Sequence, residues 1–113
     1  GKMDHLTLDV RFRFRQLNKM QVLTLCRELE GVSYSENAES EDKLPRSFEV
    51  LVALTAANLD AINMFYVRQG LNVSNCDIFV SVKATDATGF TLPAIVNQML
   101  KHIDCPLSFS IGT

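Results

Sequence analysis

The chain has 113 residues and a mass of 12.6 kDa, and 47% of its residues are hydrophobic. A chain of this length can bury a core without disulfides or metals, so we expect a single domain over residues 1–113. Lys and Arg number 11 and Asp and Glu 13, which gives a net charge of −2. This balance argues against disorder and against a protein that binds nucleic acid through bulk charge.

Two sequence features bear on where the chain works. No apolar run approaches the length of a membrane span, about 18 residues, and the N-terminal segment lacks the apolar stretch of a signal peptide. The three cysteines, Cys26, Cys76 and Cys105, have neither CxxC spacing nor an even count. Each lies in an apolar segment, so we expect buried, reduced thiols in a cytoplasmic protein.

The first predicted element is a strand with strict alternation. One set of side chains is apolar and is expected to face the core: Leu6, Leu8, Val10, Phe12 and Phe14. The other set is polar: Thr7, Asp9, Arg11, Arg13 and Arg15. A period of two over ten residues is typical of a half-buried strand.

A helix is predicted next, because apolar side chains recur at helical spacing: Val22, Leu25, Cys26 and Leu29. Asn18 can cap this helix with Gln21 in a capping box, and Gly31 is expected to end it. Residues 32–46 are compatible with a strand or a loop. Within them, the acidic stretch 36–43 is expected to be a solvated loop.

A second strand, helix and strand follow. The strand has Phe48, Val50, Val52 and Leu54 on one face, with Glu49, Leu51 and Ala53 on the other. The helix is expected between a Thr55 cap and a Gly70 stop, with an apolar face of Leu59, Ile62, Met64, Phe65 and Tyr66. The next strand has Ile78, Val80 and Val82 on one face and Asp77, Phe79, Ser81 and Lys83 on the other.

The last predicted elements are a helix and a short strand. The helix carries its apolar residues at helical spacing, with Thr91 as the expected cap: Leu92, Ile95, Val96, Met99, Leu100 and Ile103. Pro106 ends this pattern, and a strand follows in which Leu107, Phe109 and Ile111 alternate with serines.

The element order predicts the fold class. Residues 6–34 and 48–83 both read as strand–helix–strand, and two such halves joined by a hairpin form the split βαβ, or ferredoxin-like, plan. We therefore expect an α+β domain with the helices on one face of a mainly antiparallel sheet. The C-terminal helix and strand are an addition to that plan.

No motif for catalysis or cofactor binding is present. The chain lacks phosphate-loop, dinucleotide, zinc-protease, esterase and EF-hand patterns, and it has two histidines, His5 and His102. Cys105 lies beside Asp104, whose charge disfavours a thiolate. The sequence therefore predicts no catalytic residue, no metal site and no cofactor.

One constellation stands out, the row of Arg11, Arg13 and Arg15 on one face of the first strand. It has three interpretations. The row can be a salt-bridged face, with Glu49, Asp9 and Asp77 as candidate cross-strand partners. It can rim a self-association face that includes Leu51 and Phe79. It can also bind an anion or nucleic acid, although Phe12 and Phe14 are in phase with the core instead of the exposed face, which disfavours RNA.

These features lead to a leading functional hypothesis and two alternatives. The leading one is a non-catalytic protein-interaction or regulatory domain of immunity-like type, acting as a homodimer or on a protein partner. Its expected contact or anion-binding face comprises Arg11, Arg13, Arg15, Glu49, Leu51, Phe79 and Lys83. The alternatives are a domain that binds a small anionic ligand through the arginine row, and an enzyme with a dispersed site.

Overall fold

The computed structural model describes residues 6–40, 45–84 and 89–112. The fold is α+β, with one mixed sheet and three α-helices among these residues. The strands are β1 (Leu6–Leu17), β2 (Val32–Glu36), β3 (Phe48–Ala53), β4 (Cys76–Ala84) and β5 (Leu107–Gly112). The helices are α1 (Lys19–Glu28), α2 (Ala56–Arg68) and α3 (Ala94–Leu100), with short 3₁₀ turns at Ala38–Ser40 and Val73–Asn75.

The sheet has the strand order β2-β3-β1-β4-β5, so β1 is central and β2 and β5 form the edges. β1 runs antiparallel to both of its neighbours, and β5 runs parallel to β4. Parallel neighbours require a crossover connection, and α3 lies in the segment that joins β4 to β5. The long alternating strand predicted from the sequence is therefore the central strand of the sheet.

The core lies on one side of the sheet. Buried side chains of one phase of β1, β3 and β4 form a single cluster with buried residues of all three helices. The central members are fully buried: Phe12, Val50, Val52, Ile78, Val80, Val22, Leu25, Ile62, Val96 and Met99. Val10 and Ile95 are only partly buried. Their phase was predicted correctly, but they pack at the margin of the cluster.

The start of α1 confirms the predicted capping box. Asn18 Oδ1 accepts the N–H of Gln21 at 2.8 Å, and Gln21 Oε1 accepts the N–H of Asn18 at 2.9 Å. The helix ends at Glu28, before the predicted glycine stop. Gly31 has a φ of +73°, and a Cβ there would lie 2.9 Å from that of Ala53. Glycine is therefore required by the close approach to β3.

Two residues assigned to buried helical faces are exposed. Cys26 lies on the solvent side of α1, so the prediction of three buried thiols is wrong for this one. Met64 lies on the outer surface of α2 and is also exposed. Both positions adjoin the true apolar stripes in sequence, and a stripe around 100° wide leaves the helical positions at its margin in solvent.

The ends of α2 match the sequence prediction. Thr55 caps the helix by accepting the N–H of Asn58. At the other end, Gly70 has a φ of +60°, its N–H bonds to the carbonyl of Val67, and the N–H of Leu71 bonds to that of Tyr66. This pair of bonds is the Schellman ending.

The third helix is shorter than predicted. Its N-cap is Pro93, with no side-chain cap bond, so Thr91 does not cap it. Ile103 lies beyond the helix but is buried. In the stretch left open by the sequence, residues 32–36 form β2. The acidic stretch 36–43 was expected to be a loop, but Glu36 ends β2 and Ala38–Ser40 form a 3₁₀ turn, while residues 41–43 lie outside the described part. Across the described residues, no helix is long and apolar enough to cross a membrane.

Candidate interaction face

The side of the sheet away from the core is called the open face here. It presents Arg11, Arg13 and Arg15 from β1, Glu49 and Leu51 from β3, and Asp77, Phe79 and Lys83 from β4. Arg13 is paired in register with Leu51 on one side and Asp77 on the other. Lys83 is paired with Thr7, toward the opposite end of β1. Most predicted face residues are thus neighbours, while Lys83 stands apart.

The centre of the open face is the carboxylate of Asp77, which is 1% exposed. Arg13 binds it with two parallel bonds, Nε to Oδ1 at 2.8 Å and Nη2 to Oδ2 at 2.6 Å. Arg15 Nη2 donates to Oδ2 at 3.0 Å, and Ser108 Oγ donates to the same oxygen at 2.5 Å. One carboxylate therefore ties together β1, β4 and the edge strand β5.

Arg13 has two further contacts on this face. Its Nη1 lies 3.8 Å from Oε2 of Glu49 on β3. Its guanidinium carbon lies 4.5 Å from the ring centroid of Phe79, a cation–π arrangement. Because acids contact it from both sides and the Phe79 ring lies against it, the Arg13 side chain is held in place by contacts within the chain.

The electrostatics of this centre follow from burial and pairing. Burial by itself raises the pKa of Asp77, but the hydrogen bonds from Arg13 and Ser108 and the charges of Arg13 and Arg15 outweigh it and lower the pKa below its usual value. The hydrogen bond to Asp77 in turn raises the pKa of Arg13. The centre is therefore an ionised, charge-paired group at neutral pH.

The other members of the row are more exposed. Arg11 Nε donates to Asp9 Oδ2 at 2.9 Å, and the two side chains are 37% and 52% exposed. Asp9 lies on the same strand as Arg11, so this pair runs along β1 and is not the cross-strand pair expected from the sequence. Arg15 lies within a register shift of β1 between Phe14 and Leu17, after which Leu17 is buried in the core. Each predicted acid thus pairs with an arginine of the row.

The apolar part of the open face is more covered than the sequence suggested. Leu51 and Phe79 are each partly buried. The large apolar side chains that are exposed in the described residues lie elsewhere: Met20, Leu23, Tyr34, Met64, Val67, Phe90, Phe109 and Ile111. Phe90 and Phe109 contact each other, with ring centroids 6.1 Å apart, beside the β5 edge.

Sequence reasoning missed Ser108 and the exposed side of β5. The serine is one of several in the chain, and its role depends on β5 lying next to β4. That placement is set by the crossover through α3, for which the sequence carries no local signal. The alternation of apolar residues and serines in 107–111 predicts a strand, but it does not show that this strand lies at the edge of the sheet.

Other candidate groups offer little chemistry. Within the described ranges, no three His, Cys, Asp or Glu side chains are grouped so as to hold a metal ion. His102 is exposed in the turn after α3, and His5 lies outside the described residues. Burial raises the pKa of the Cys76 thiol to about 12 and that of Cys105 to about 11, so both thiols are un-ionised at neutral pH.

Comparison with known proteins adds no relative. No family model, no curated protein and no solved structure matches this chain.

Proposed function

We propose that this chain is a non-catalytic protein-interaction domain that acts as a homodimer and contacts a protein partner with its open face. The observation that carries the proposal is the pre-ordered Arg13, held by Asp77 and Glu49 and stacked on Phe79. Arginine and aromatic side chains dominate the energetics of protein interfaces. A side chain that is already ordered loses little entropy on binding.

The surroundings of Arg13 also support a contact surface. Leu51 and Phe79 supply partly exposed apolar area next to it. Small serines extend the face on β2, β4 and β5: Ser33, Ser35, Ser81, Ser108 and Ser110. A central apolar and aromatic patch with a polar rim is the usual anatomy of a protein interface.

The ferredoxin-like plan is part of the proposal. It is supported by the order β2-β3-β1-β4, in which β1 is central and antiparallel to both neighbours. Two βαβ units interleaved in this way are the split βαβ arrangement, and α3 with β5 then extends it. A reducing compartment such as the cytoplasm is also proposed, and the unbridged thiols of Cys76 and Cys105 support it.

The small-anion alternative is less well supported. Asp77 takes two donors of Arg13 and one of Arg15, so an incoming anion would have to displace a buried carboxylate from its own partners. Arg11 is the member of the row with the weakest tie to the centre, and it is engaged by Asp9. The arginine row is therefore better explained as a set of ion pairs within the chain than as an anion-binding site.

The test of the contact face uses an immobilised wild-type chain as bait in an extract of its source organism. We expect a partner protein that is retained by the wild type and lost with Leu51→Glu/Phe79→Glu. The matched control is Met64→Glu/Val67→Glu, which introduces the same charges on the exposed surface of α2 and should retain the partner. Equal capture by all three baits, each checked for folding by circular dichroism, would reject the open face as the contact surface.

A further inference from the structure

We infer, building on the proposed function, that the homodimer forms by antiparallel pairing of β5 with β5 of a second copy of this chain. β5 is an edge strand of the sheet, and none of its residues, Leu107–Gly112, is charged. Exposed edges with free backbone groups pair readily with another strand unless charges, prolines or bulges oppose it. Two uncharged β5 strands meet without repulsion.

The other edge of the sheet shows what protection looks like. β2 ends in Glu36, which forms a bidentate pair with Arg46, and its Tyr34 ring lies 5.1 Å from the Lys19 ammonium. Charged side chains thus stand along that edge. β5 carries no charged side chain. The two edges of the sheet therefore differ in charge, and β5 is the edge that can pair with another strand.

The hydrogen-bond phase of β5 identifies the groups that are free. The N–H of Ile78 donates to the carbonyl of Pro106 at 3.0 Å, and Ile78 is in register with Leu107. In a parallel ladder, alternate residues bond toward the same neighbour. The even-numbered residues of β5 therefore bond inward to β4. The N–H and C=O groups of Leu107, Phe109 and Ile111 point outward, away from the sheet.

These outward groups are arranged to complement themselves. When two β5 strands run antiparallel with Phe109 opposite Phe109 of the second copy, Leu107 lies opposite Ile111 on both sides of the two-fold axis. All three residues then occupy hydrogen-bonded positions, so the free donors and acceptors of both strands are satisfied. A contact in which one patch meets itself is what two-fold symmetry requires.

The side chains agree with this register. Phe109 and Ile111 are 43% and 73% exposed, and both lie on the core side of the sheet together with Phe90. Pairing places the two apolar sets side by side, while Ser108 and Ser110 fall on the open face. The two open faces then join into one continuous surface.

The area sets the expected strength. A covered aromatic side chain buries about 150–250 Å², so the exposed parts of Phe90, Phe109 and Ile111 amount to roughly 300 Å² per copy. Two copies bring about 600 Å² before the strand backbones are added, which falls in the size class of transient complexes, below about 1,200 Å². We therefore expect a concentration-dependent dimer with a dissociation constant in the micromolar range.

The test measures solution mass by sedimentation from low micromolar to near-millimolar protein. The wild type should approach twice 12.6 kDa, and Ile111→Lys should weaken association by at least about tenfold. Val67→Lys is the matched control, because Val67 is a β-branched residue with 66% exposure on α2, and it should dimerise like the wild type. A wild type that stays monomeric, or an Ile111→Lys variant that dimerises normally, would overturn the inference.

A second measurement needs no variant. At concentrations where the mass doubles, amide hydrogen exchange should slow at Leu107, Phe109 and Ile111, while Ser108 and Ser110 are protected in monomer and dimer alike. Unprotected odd-numbered amides in a dimer would place the contact elsewhere. If dimerisation is instead lost only with Leu51→Glu/Phe79→Glu, the open face forms the dimer. Neither result depends on capture of the partner, so the β5 contact and the open-face contact with a protein partner can fail separately.

Discussion

The open face and the β5 edge both meet solvent, but they differ in how their polar groups are satisfied. On the open face, the charged row is closed within the chain, since Asp77 binds Arg13, Arg15 and Ser108, and Asp9 binds Arg11. At the β5 edge, backbone groups point away from the sheet, and the side chains of Phe109 and Ile111 are exposed on its core side. The comparison teaches that the arginine side chains of the open face already have partners within the chain, while the outward backbone groups of the uncharged β5 have no neighbouring strand in the described sheet.

Ser108 links the two regions, because its backbone belongs to β5 and its hydroxyl binds Asp77. The charge-paired centre therefore helps to hold the edge strand in place. Changes at Asp77 should affect both regions, whereas changes at the exposed end of β5 should affect only the edge. The following predictions use this difference, from the largest expected effect to the smallest.

The largest effect is expected from Asp77→Ala. Removing one partner of a buried ion pair costs about 3–5 kcal/mol, and the partial exposure of Arg15 favours the lower end, about 3 kcal/mol. Asp9→Ala breaks an exposed pair and should cost less than about 1 kcal/mol. Urea denaturation of both variants provides the measurement. Equal losses would show that the centre is no more important than the surface pair.

The pH dependence of stability should depend on the same carboxylate. Because the folded state lowers the pKa of Asp77, the unfolded state binds more protons in the acid range, and stability falls as the pH drops below the usual aspartate value of about 3.9. Above that value the contribution is fully present. Asp77→Asn should be less stable at neutral pH and show a flatter acid limb, measured by urea melts from neutral to acid pH. An unchanged acid limb would contradict this role.

A smaller effect is expected at Ser108. Ser108→Ala removes a hydrogen bond to a charged group, for which losses of about 1.5–3 kcal/mol are usual. Because Arg13 and Arg15 still donate to Asp77, we expect the free energy of unfolding to fall by about 1.5 kcal/mol. Ser110→Ala, on the same strand and exposed, should lie within about 0.5 kcal/mol of the wild type. Hydrogen exchange at β5 should speed up in the first variant only. Equal behaviour of the two variants would remove the link between the centre and the edge.

The smallest effect is expected from inorganic phosphate. If the arginines of the row are fully paired with acids of the same chain, phosphate should not raise the melting temperature of the wild type more than that of Arg11→Gln/Arg15→Gln. A ligand that binds only the folded state stabilises it by RT ln(1 + L/Kd), where L is the free ligand concentration, so the effect grows with concentration and a real anion site would separate the two proteins. A clear additional rise in the wild type would revive the anion-binding alternative.

Several features could be read from the sequence because their causes are local. The alternation in β1 and β3, the Asn18 capping box and the Gly70 ending of α2 depend on neighbours within a few residues. The arginine row and its candidate acids were also visible, because side chains two residues apart on a strand share a face. The extent of α3 was overestimated, since the apolar period continues to Ile103, which is buried outside the helix.

What the sequence by itself determined is which face of β1, β3 and β4 meets the core and where the centre of each apolar helical stripe lies, because the spacing of apolar residues repeats within a few neighbouring positions. Only the tertiary structure decided that Asp77 binds Arg13 and Ser108 at once, since this requires β1, β4 and β5 to lie side by side. It also decided that β5 is an edge, so that Phe109 and Ile111 remain exposed although they alternate like core residues. Strand order is set by contacts between distant parts of the chain. The spacing of apolar residues within one strand carries no information about which strand will lie next to it.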